Sequence, residues 1–182
     1  MIFTPTKLTD VMVIEPQLFG DDRGFFMETY HQKKFLEAGI DVDFVQDNHS
    51  KSKQGILRGL HYQIQQPQGK LVRVVAGEVY DVAVDMRKSS PTFGQWVGEY
   101  LSDDNKKMLW VPPGFAHGFY VLSESAEFVY KCTELYAPEH ERSLLWSDKA
   151  LGISWPLVNG ETPLLAAKDE SGTPFSQADC YP

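Results

Sequence analysis

Hydrophobic and polar residues alternate along most of the chain, in short segments that turn residues separate. Residues 70–76 (KLVRVVA) are followed, after a Gly-Glu turn, by residues 79–86 (VYDVAVDM). In the second segment Tyr80, Val82, Val84 and Met86 share one face. Asp81 and Asp85 lie on the other face, which can be exposed to solvent. Four further segments repeat this pattern, at residues 94–101, 107–111, 118–122 and 126–135. Strands this regular predict an antiparallel sandwich or barrel.

One helix interrupts the predicted strands. Residues 30–38 (YHQKKFLEA) favour a helix, and Gly39 after them favours its end. The chain has no internal repeat, charge run or low-complexity segment. Its C-terminal part is rich in turn residues and contains Trp146 and Trp155, so we expect a flap or short helical segment on the same domain. A chain of 182 residues can bury a proper core, and we predict one domain over residues 1–182.

Composition and charge disfavour several classes of protein. The 17 Lys and Arg residues against 25 Asp and Glu residues give a net charge of −8, which disfavours binding to nucleic acid or to an anionic membrane. The sequence shows no signal peptide, and no apolar segment has the length of a membrane-spanning helix. Cys132 and Cys180 match neither a disulfide framework nor a zinc motif. We therefore expect a cytoplasmic protein with reduced thiols, without nucleic acid or membrane as a partner.

Two of the five histidines lie where a turn leads into a predicted strand. His61 ends the segment GILRGLH, in which two glycines flank Arg58, and His117 follows a Pro-Pro-Gly turn in the segment VPPGFAHGF. For His117, a turn histidine without chemical importance is the alternative. The two segments resemble the paired half-motifs of the cupin superfamily. This resemblance, which the alternation alone does not provide, implies an all-β fold: a double-stranded β-helix, or jelly-roll barrel, with a few short peripheral helices.

The residues around His61 argue against a metal site. Metal-binding cupins use a His-x-His pair, a downstream Glu and a later His, because a divalent ion needs three or four such ligands. Here the pair reads His61-Tyr62-Gln63, and the place where a Glu ligand would be sought leads into Lys70, a cation that would repel a metal. We therefore predict no metal. A histidine base with a lysine and an arginine suits acid–base chemistry on an anionic intermediate instead.

Seven segments between residues 19 and 169 together resemble one enzyme family. They are residues 19–26 (FGDDRGFF), 46–50 (QDNHS), 55–61 (GILRGLH), 68–73 (QGKLVR), 112–119 (PPGFAHGF), 130–133 (YKCT) and 165–169 (LAAKD). In this order they are similar to the dTDP-4-dehydrorhamnose 3,5-epimerases. The resemblance implies conversion of dTDP-4-dehydro-6-deoxy-D-glucose into dTDP-4-dehydro-L-rhamnose, for dTDP-rhamnose and hence lipopolysaccharide or O-antigen biosynthesis. It also implies a dTDP-sugar as the small-molecule partner, a homodimer and no cofactor, since the 4-keto group already acidifies the protons on carbons 3 and 5.

The resemblance assigns catalytic roles to matching positions. It implies that His61 is the base and that Tyr130 is the acid that reprotonates the opposite face of the sugar. Asp169 would pair with His61, Lys70 would stabilise the enolate oxygen, and His117 would assist around the sugar or ketone. These roles agree with the chemistry, because inversion needs a base and a separate acid, histidine titrates near neutral pH, and tyrosine is a neutral donor at pH 7. Alternation along the strand puts Tyr130 on a face that would project into a barrel.

The nucleotide is expected at a second group of residues. Arg23, Arg58 and Lys168 are candidates for the diphosphate, with surface salt bridges as the alternative. The resemblance implies that Tyr136 stacks on thymine, for which ordinary packing is the alternative. It further implies substrate contacts for Glu28, Gln46, Asp47, Asn48 and Glu141. We also hypothesise that the segment bearing Arg23 and Glu28 acts across the subunit boundary of the dimer.

Three other functions stay open at the level of the sequence. A relative that epimerises one carbon, or a 3,4-ketoisomerase, would share the base and the nucleotide site, but Tyr130 together with Asp169 favours double epimerisation. Gln63 and Lys70 disfavour a metal-dependent cupin oxygenase or isomerase. A non-catalytic sugar- or nucleotide-binding cupin is disfavoured by the acid, base and cations at matching positions.

Overall fold

The computed structural model describes residues 1–182, and most of the ordered elements are strands. The strands are β1 (Ile2–Pro5), β2 (Met12–Glu15), β3 (Leu18–Asp21), β4 (Gly24–Met27), β5 (Gln46–Lys53), β6 (Leu57–Gln63), β7 (Lys70–Ala76), β8 (Glu78–Asp85), β9 (Trp96–Ser102), β10 (Met108–Val111), β11 (Phe115–Val121), β12 (Ser125–Cys132) and β13 (Glu141–Ser143). The helices are α1 (Gln32–Glu37) and α2 (Ala167–Glu170), with single 3₁₀ turns at Pro138–His140, Val158–Gly160 and Phe175–Gln177.

Two antiparallel sheets form the body of the molecule. The six-stranded sheet has the order β1-β2-β10-β7-β12-β5, and the five-stranded sheet has the order β13-β6-β11-β8-β9. Strands β3 and β4 form a separate hairpin. Alternate residues of the two sheets meet in a core cluster of 16 buried residues, which includes Val72 and Phe128 from one sheet and Ala83 and Phe119 from the other. The predicted antiparallel sandwich or barrel is confirmed, in the form of two facing sheets.

The predicted elements agree with the structure apart from their ends. Strand β7 covers the predicted residues 70–76, and β11 begins at Phe115, three residues earlier than predicted. The predicted helix is confirmed over its central part, Gln32–Glu37. Gly39 follows it with a φ of +85°, a left-handed conformation that glycine adopts without a steric penalty.

The polar face of β8 is buried, which corrects the expectation that it need not be dry. Asp81 and Asp85 are both 0% exposed, because their face looks into the space between the sheets. The opposite face of β8 is buried as well, under the C-terminal part of the chain. There Trp155, Phe175 and Tyr181 pack on the five-stranded sheet. The C-terminal segment thus serves as an outer layer, and its helix α2 contacts β6.

A close approach between β6 and β11 sets the register of the five-stranded sheet. Gly59 has a φ of +117°, and a Cβ built on it would lie 2.6 Å from the Gly118 Cα. A Cβ on Gly118 would lie 2.6 Å from the carbonyl oxygen of Arg58, so neither position has room for a side chain. Beside this contact the register shifts, and His61 pairs with His117. Two glycines therefore bring two candidate site histidines next to each other.

None of the helices has the length and apolar character that crossing a bilayer would require. The two cysteines are unpaired: Cys132 is buried within β12 and Cys180 is partly buried near the C-terminus.

Candidate active site

A cleft of about 620 Å³ opens between the two sheets and collects most of the predicted site residues. The five-stranded sheet supplies His61 from β6 and His117 from β11, and the six-stranded sheet supplies Lys70 from β7 and Tyr130 from β12. Because the inner faces of the sheets oppose each other, these two pairs stand on opposite walls. The remaining predicted residues in the cleft are Gln46, Asn48, Arg58, Tyr136, Glu141, Lys168 and Asp169.

His61 and Asp169 form a hydrogen-bonded pair. The imidazole Nε2 lies 2.5 Å from the Asp169 Oδ1, and the carboxylate is 2% exposed. Asp169 reaches this position because the segment before α2 runs beside the start of β6, where Leu57 N–H donates to the carbonyl of Leu164 at 3.1 Å. With Nε2–H donated to the carboxylate, Nδ1 is the nitrogen that can accept a proton. The side chain of His61 is 20% exposed, so the pair is close to the cleft and not sealed from it.

Tyr130 and Lys70 stand on the opposite wall in surroundings that favour their neutral forms. Burial raises the pKa of Tyr130, so the phenol keeps its proton at neutral pH. Burial lowers the pKa of the Lys70 ammonium, and the negative charge of the nearby Asp81 carboxylate opposes that shift. An anion that develops beside Lys70 would stabilise the charged ammonium, which burial disfavours, and the ammonium would in turn stabilise the anion.

A row of rings supports Tyr130. The Phe119 and Phe128 rings stack with centroids 4.2 Å apart, and Phe128 lies 6.1 Å from the His117 ring and 6.0 Å from the Tyr130 ring. The phenol therefore projects from a packed aromatic surface that spans both sheets. Such packing restricts the ring to few orientations, as a proton donor of defined direction requires.

His117 is more deeply buried than His61. Its side chain is 7% exposed, and its Nε2 lies 2.9 and 3.0 Å from the two carboxylate oxygens of Asp81. Burial raises the pKa of Asp81, and the adjacent His117 opposes the shift. Asp81 was not among the site residues predicted from the sequence. The available signal was a carboxylate in the middle of the mostly apolar strand β8, although its alternation fits a solvated polar face equally well.

The mouth of the cleft carries cations and an exposed ring. Arg58 donates from Nε to the Ser52 hydroxyl at 2.9 Å, and Lys168 Nζ lies 3.0 Å from both carboxylate oxygens of Glu141. Tyr136 is 51% exposed and donates its hydroxyl to Glu141 at 3.3 Å. Two guanidinium or ammonium groups and a flat ring at one opening can bind an anion that is joined to an aromatic base.

Three predicted site residues lie outside this cleft. Arg23 is at the tip of the β3–β4 hairpin, where it is 88% exposed and pairs with Asp21, and Glu28 pairs with Lys34 at 2.7 Å. Asp47 faces the outer side of the six-stranded sheet. Its position follows from strand geometry, because Gln46 and Asn48 on either side of it face the cleft. The single chain therefore does not bring these three residues to the site.

Gln63 occupies the place of the second histidine of metal-binding cupins, and its amide is engaged elsewhere. It donates to the carbonyls of Gln66 and Leu135 at 2.8 and 3.2 Å, and it accepts the Ala137 N–H at 2.9 Å. No three His, Cys, Asp or Glu side chains of the chain are grouped so that they could hold a metal ion.

Comparison with known proteins places this chain among sugar epimerases. Residues 5–177 match the family model described as dTDP-4-dehydrorhamnose 3,5-epimerase. The chain is 61% identical over 180 residues to the dTDP-4-dehydrorhamnose 3,5-epimerase of Pseudomonas aeruginosa, with 98% of each chain covered. It is 60% identical over 178 residues to that of Shigella flexneri, with 97% of each chain covered.

Solved structures agree with the sequence relatives. A dTDP-6-deoxy-D-glucose-3,5-epimerase from Legionella pneumophila, in complex with dTDP-4-keto-L-rhamnose, superposes with a TM-score of 0.94 at 54% identity, covering 98% of this chain and 94% of that one. ChmJ, a 3′-monoepimerase from Streptomyces bikiniensis in complex with dTDP-quinovose, superposes with a TM-score of 0.88 at 33% identity, covering 95% and 87%. The sandwich is thus of the cupin type. By its family model, its relatives and its structure, the chain belongs to the dTDP-4-dehydrorhamnose 3,5-epimerase family.

Proposed function

We propose that this chain inverts carbons 3 and 5 of dTDP-4-dehydro-6-deoxy-D-glucose to give dTDP-4-dehydro-L-rhamnose, without a metal or redox cofactor. As a member of its family it is an isomerase of nucleotide-activated sugars. The observation that carries the proposal is the placement of a base, His61, and an acid, Tyr130, on opposite walls of one cleft. Inversion requires that a proton leave one face of the sugar and that another arrive on the opposite face.

The reaction needs one base, one acid and one group that stabilises an oxyanion. In the proposed mechanism, Nδ1 of His61 removes the proton from a carbon beside the 4-keto group, and Asp169 stabilises the imidazolium that forms. The electron pair moves to the keto oxygen, where Lys70 stabilises the enolate. Tyr130 then donates its phenolic proton to the same carbon from the other face. The sequence of steps is repeated at the second carbon.

The nucleotide would occupy the mouth of the cleft. Arg58 and Lys168 carry positive charge at this opening, and the exposed ring of Tyr136 offers a flat surface for thymine. Gln46 and Asn48 point into the cleft from β5 and would supply amide contacts. Binding the non-reacting part of the substrate this way fixes the sugar against the acid and the base.

A second copy of the chain would complete the site. In the proposed homodimer the hairpin that bears Arg23 reaches the neighbouring cleft, together with Glu28. This arrangement is supported by the exposed side chains Phe19, Phe25 and Phe26 on that hairpin, which are 57%, 57% and 69% exposed. We further place the enzyme in the cytoplasm, which agrees with two unpaired cysteines.

A single-carbon epimerase is the second candidate. It is favoured by the structural similarity to ChmJ, which is a 3′-monoepimerase. Such an enzyme can use the same base and nucleotide site, so the two candidates differ in how many carbons exchange their protons.

Isotope exchange in D₂O decides between these candidates. The purified enzyme is incubated with the dTDP-4-keto sugar without added metal, and deuterium at each carbon is followed by NMR. We expect deuterium at both carbon 3 and carbon 5, since each new proton comes from a group that exchanges with solvent. Exchange at one carbon only would contradict double epimerisation, and exchange that a chelator abolishes would contradict the metal-free mechanism.

A further inference from the structure

The side chain of Gln63 makes an unusually complete set of hydrogen bonds for a residue that the reaction does not use. It lies two residues after His61 on β6 and is 3% exposed. Both amide hydrogens are occupied, by the carbonyl oxygens of Gln66 and Leu135, and the amide oxygen accepts the N–H of Ala137. Gln63 therefore joins the strand that carries the base to a loop on the neighbouring sheet.

That loop, residues 134–137, presents Tyr136 at the mouth of the cleft. It follows β12 but belongs to no strand, so no sheet partner holds its backbone. Side chains do this instead: Gln63 bonds the residues before and after Tyr136, and Gln46 accepts the Tyr136 N–H at 2.9 Å. Gln68 also donates from Nε2 to the Glu134 carbonyl at 2.8 Å. The orientation of an exposed ring on such a loop depends on these few contacts.

The other end of the connection is firmly held. The hydroxyl of Tyr181, in the C-terminal layer, donates to the Gln63 carbonyl at 2.5 Å. Gln63 is also paired with Glu141 in the β6–β13 ladder. A buried strand residue that is fixed on its backbone and bonded to a loop through its side chain transmits the position of the strand to the loop.

We propose that Gln63 is a positioning residue for nucleotide recognition, which holds the 134–137 loop so that the Tyr136 ring stands ready to stack on the base. The proposal rests on the proposed function, because it takes the nucleotide to lie against Tyr136. Without the amide of Gln63, the loop would have to be ordered at the moment of binding, and the affinity for the nucleotide would fall. The acid–base groups would be unaffected, since the side chain of Gln63 forms its hydrogen bonds with Gln66, Leu135 and Ala137 and not with Tyr130 or Asp169.

The test is the affinity for dTDP in two backgrounds. Gln63→Met has a similar volume but cannot form the three hydrogen bonds. We expect it to raise the Kd for dTDP about tenfold in isothermal titration calorimetry. A change of this size corresponds to the net contribution of about one or two hydrogen bonds, which no longer hold the loop in place before binding. In the Tyr136→Ala background, where no ring needs positioning, the same change should alter the Kd less than about twofold. At saturating substrate, kcat should stay within about twofold of the wild type.

Controls separate positioning from general stability. Asp148→Asn disturbs another buried polar group, which binds the N–H groups of Ala150, Leu151 and Phe175, and should lower the melting temperature without changing the Kd. Should Gln63→Met fail to fold, Gln63→Glu keeps the acceptor but loses both donors, and the same dependence on Tyr136 is expected.

Two results would overturn the inference. One is an equal loss of dTDP affinity with and without the Tyr136 ring, which would make Gln63 a purely structural residue. The other is a fall in kcat with an unchanged Kd. A wild-type enzyme that does not bind dTDP would overturn the proposed function itself, and this inference with it.

Discussion

The two histidines of the cleft have different partners and therefore different capacities. His61 bonds a single carboxylate oxygen of Asp169 and keeps 20% of its side chain exposed. His117 is 7% exposed, and both oxygens of the fully buried Asp81 face its Nε2. A proton carrier must exchange with substrate and solvent, whereas a fixed donor is better buried. At the scale of the residue, His61 suits proton transfer and His117 suits a fixed polar contact.

Substitution of the base and of the acid should give different losses. His61→Ala should reduce turnover below detection, a loss of about 10³-fold or more, because the base paired with Asp169 is then absent. Tyr130→Phe should prevent delivery of the proton but leave some exchange of the substrate proton with D₂O, since the base is intact. NMR of both reactions distinguishes these outcomes. His31→Ala and Tyr100→Phe, in exposed positions, serve as controls. Full product formation by Tyr130→Phe would exclude Tyr130 as the acid.

The individual site residues were predictable where short-range signals mark them. Glycines and prolines around His61 and His117 pointed to these histidines, and the family resemblance supplied the roles of the others. Asp81 was missed because the alternation of β8 fits a solvated polar face as well as a buried one. Gln63 could be excluded as a metal ligand. Its hydrogen bonds to a loop more than seventy residues away in sequence could not be predicted from the spacing of residues along the chain.

At the scale of the element, the close antiparallel pairing of β6 and β11 decides the geometry of the site. The strands approach so closely that Gly59 and Gly118 face each other without side chains, and the register shift next to them aligns His61 with His117. This feature is a property of the pair of strands, since neither glycine alone creates it.

Replacing Gly59 should therefore lower the free energy of unfolding by more than its positive φ alone would explain. Gly59→Ala requires a positive φ and places a methyl group 2.6 Å from the Gly118 Cα, so we expect a loss of about 3 kcal/mol in the free energy of unfolding. Gly39→Ala, also at positive φ but with nothing within 4 Å, should lose about 1 kcal/mol. Urea unfolding measures both values. Equal losses in the two variants would show that the close approach of the strands adds nothing to the destabilisation.

The end of β8 contains a carboxylate that should make stability depend on pH. Burial alone would raise the pKa of Asp85, but hydrogen bonds from Arg87, Ser90 and Thr92 outweigh this effect and lower the pKa to about 2. A pKa below the ordinary value of 3.8 means that the charged form stabilises the fold. The contribution, about 2 kcal/mol, is complete above about pH 5 and is lost as the pH falls toward 2.

Unfolding of Asp85→Asn across this range tests the pH dependence. The wild type should exceed the variant in stability at pH 6, and the difference should shrink as the pH falls from about 4 to 2. Asp104→Asn, in an exposed turn, should show no such convergence. A difference that is constant with pH would mean that Asp85 acts through packing and not through its charge.

The pairing of strands could be predicted only in part. Alternation identified six of the thirteen strands, β7 to β12, because it depends on neighbouring residues. It could not distinguish a sandwich from a barrel, since that depends on partners distant in sequence: β10 lies between β2 and β7, and β12 between β5 and β7. The cupin resemblance supplied this information.

At the scale of the whole molecule, Arg23 and Glu28 lie outside the cleft of their own chain. The proposal that they act in the cleft of a second subunit can therefore be tested. If the hairpin acts in the neighbouring subunit, an Arg23→Ala chain and a His61→Ala chain complement each other. A mixed dimer would then have one cleft with both wild-type residues, and equal mixing should restore about a quarter of wild-type activity. Activity is measured after co-refolding, at a substrate concentration where both parents are weak. Mixed dimers that regain no activity would place Arg23 in its own subunit's site or outside any site.

The location of the base and the acid on separate sheets also has a consequence for timing within one turnover. In the proposed mechanism, the first inversion leaves His61 with an additional proton and Tyr130 without one, which is the reverse of what the second carbon requires. The sugar lies between them, so the proton cannot return directly. Both groups must exchange with water, to which the partly exposed His61 has access. In this mechanism the enzyme would move protons in one direction across its substrate, and proton exchange with the solvent would be a separate step of the catalytic cycle.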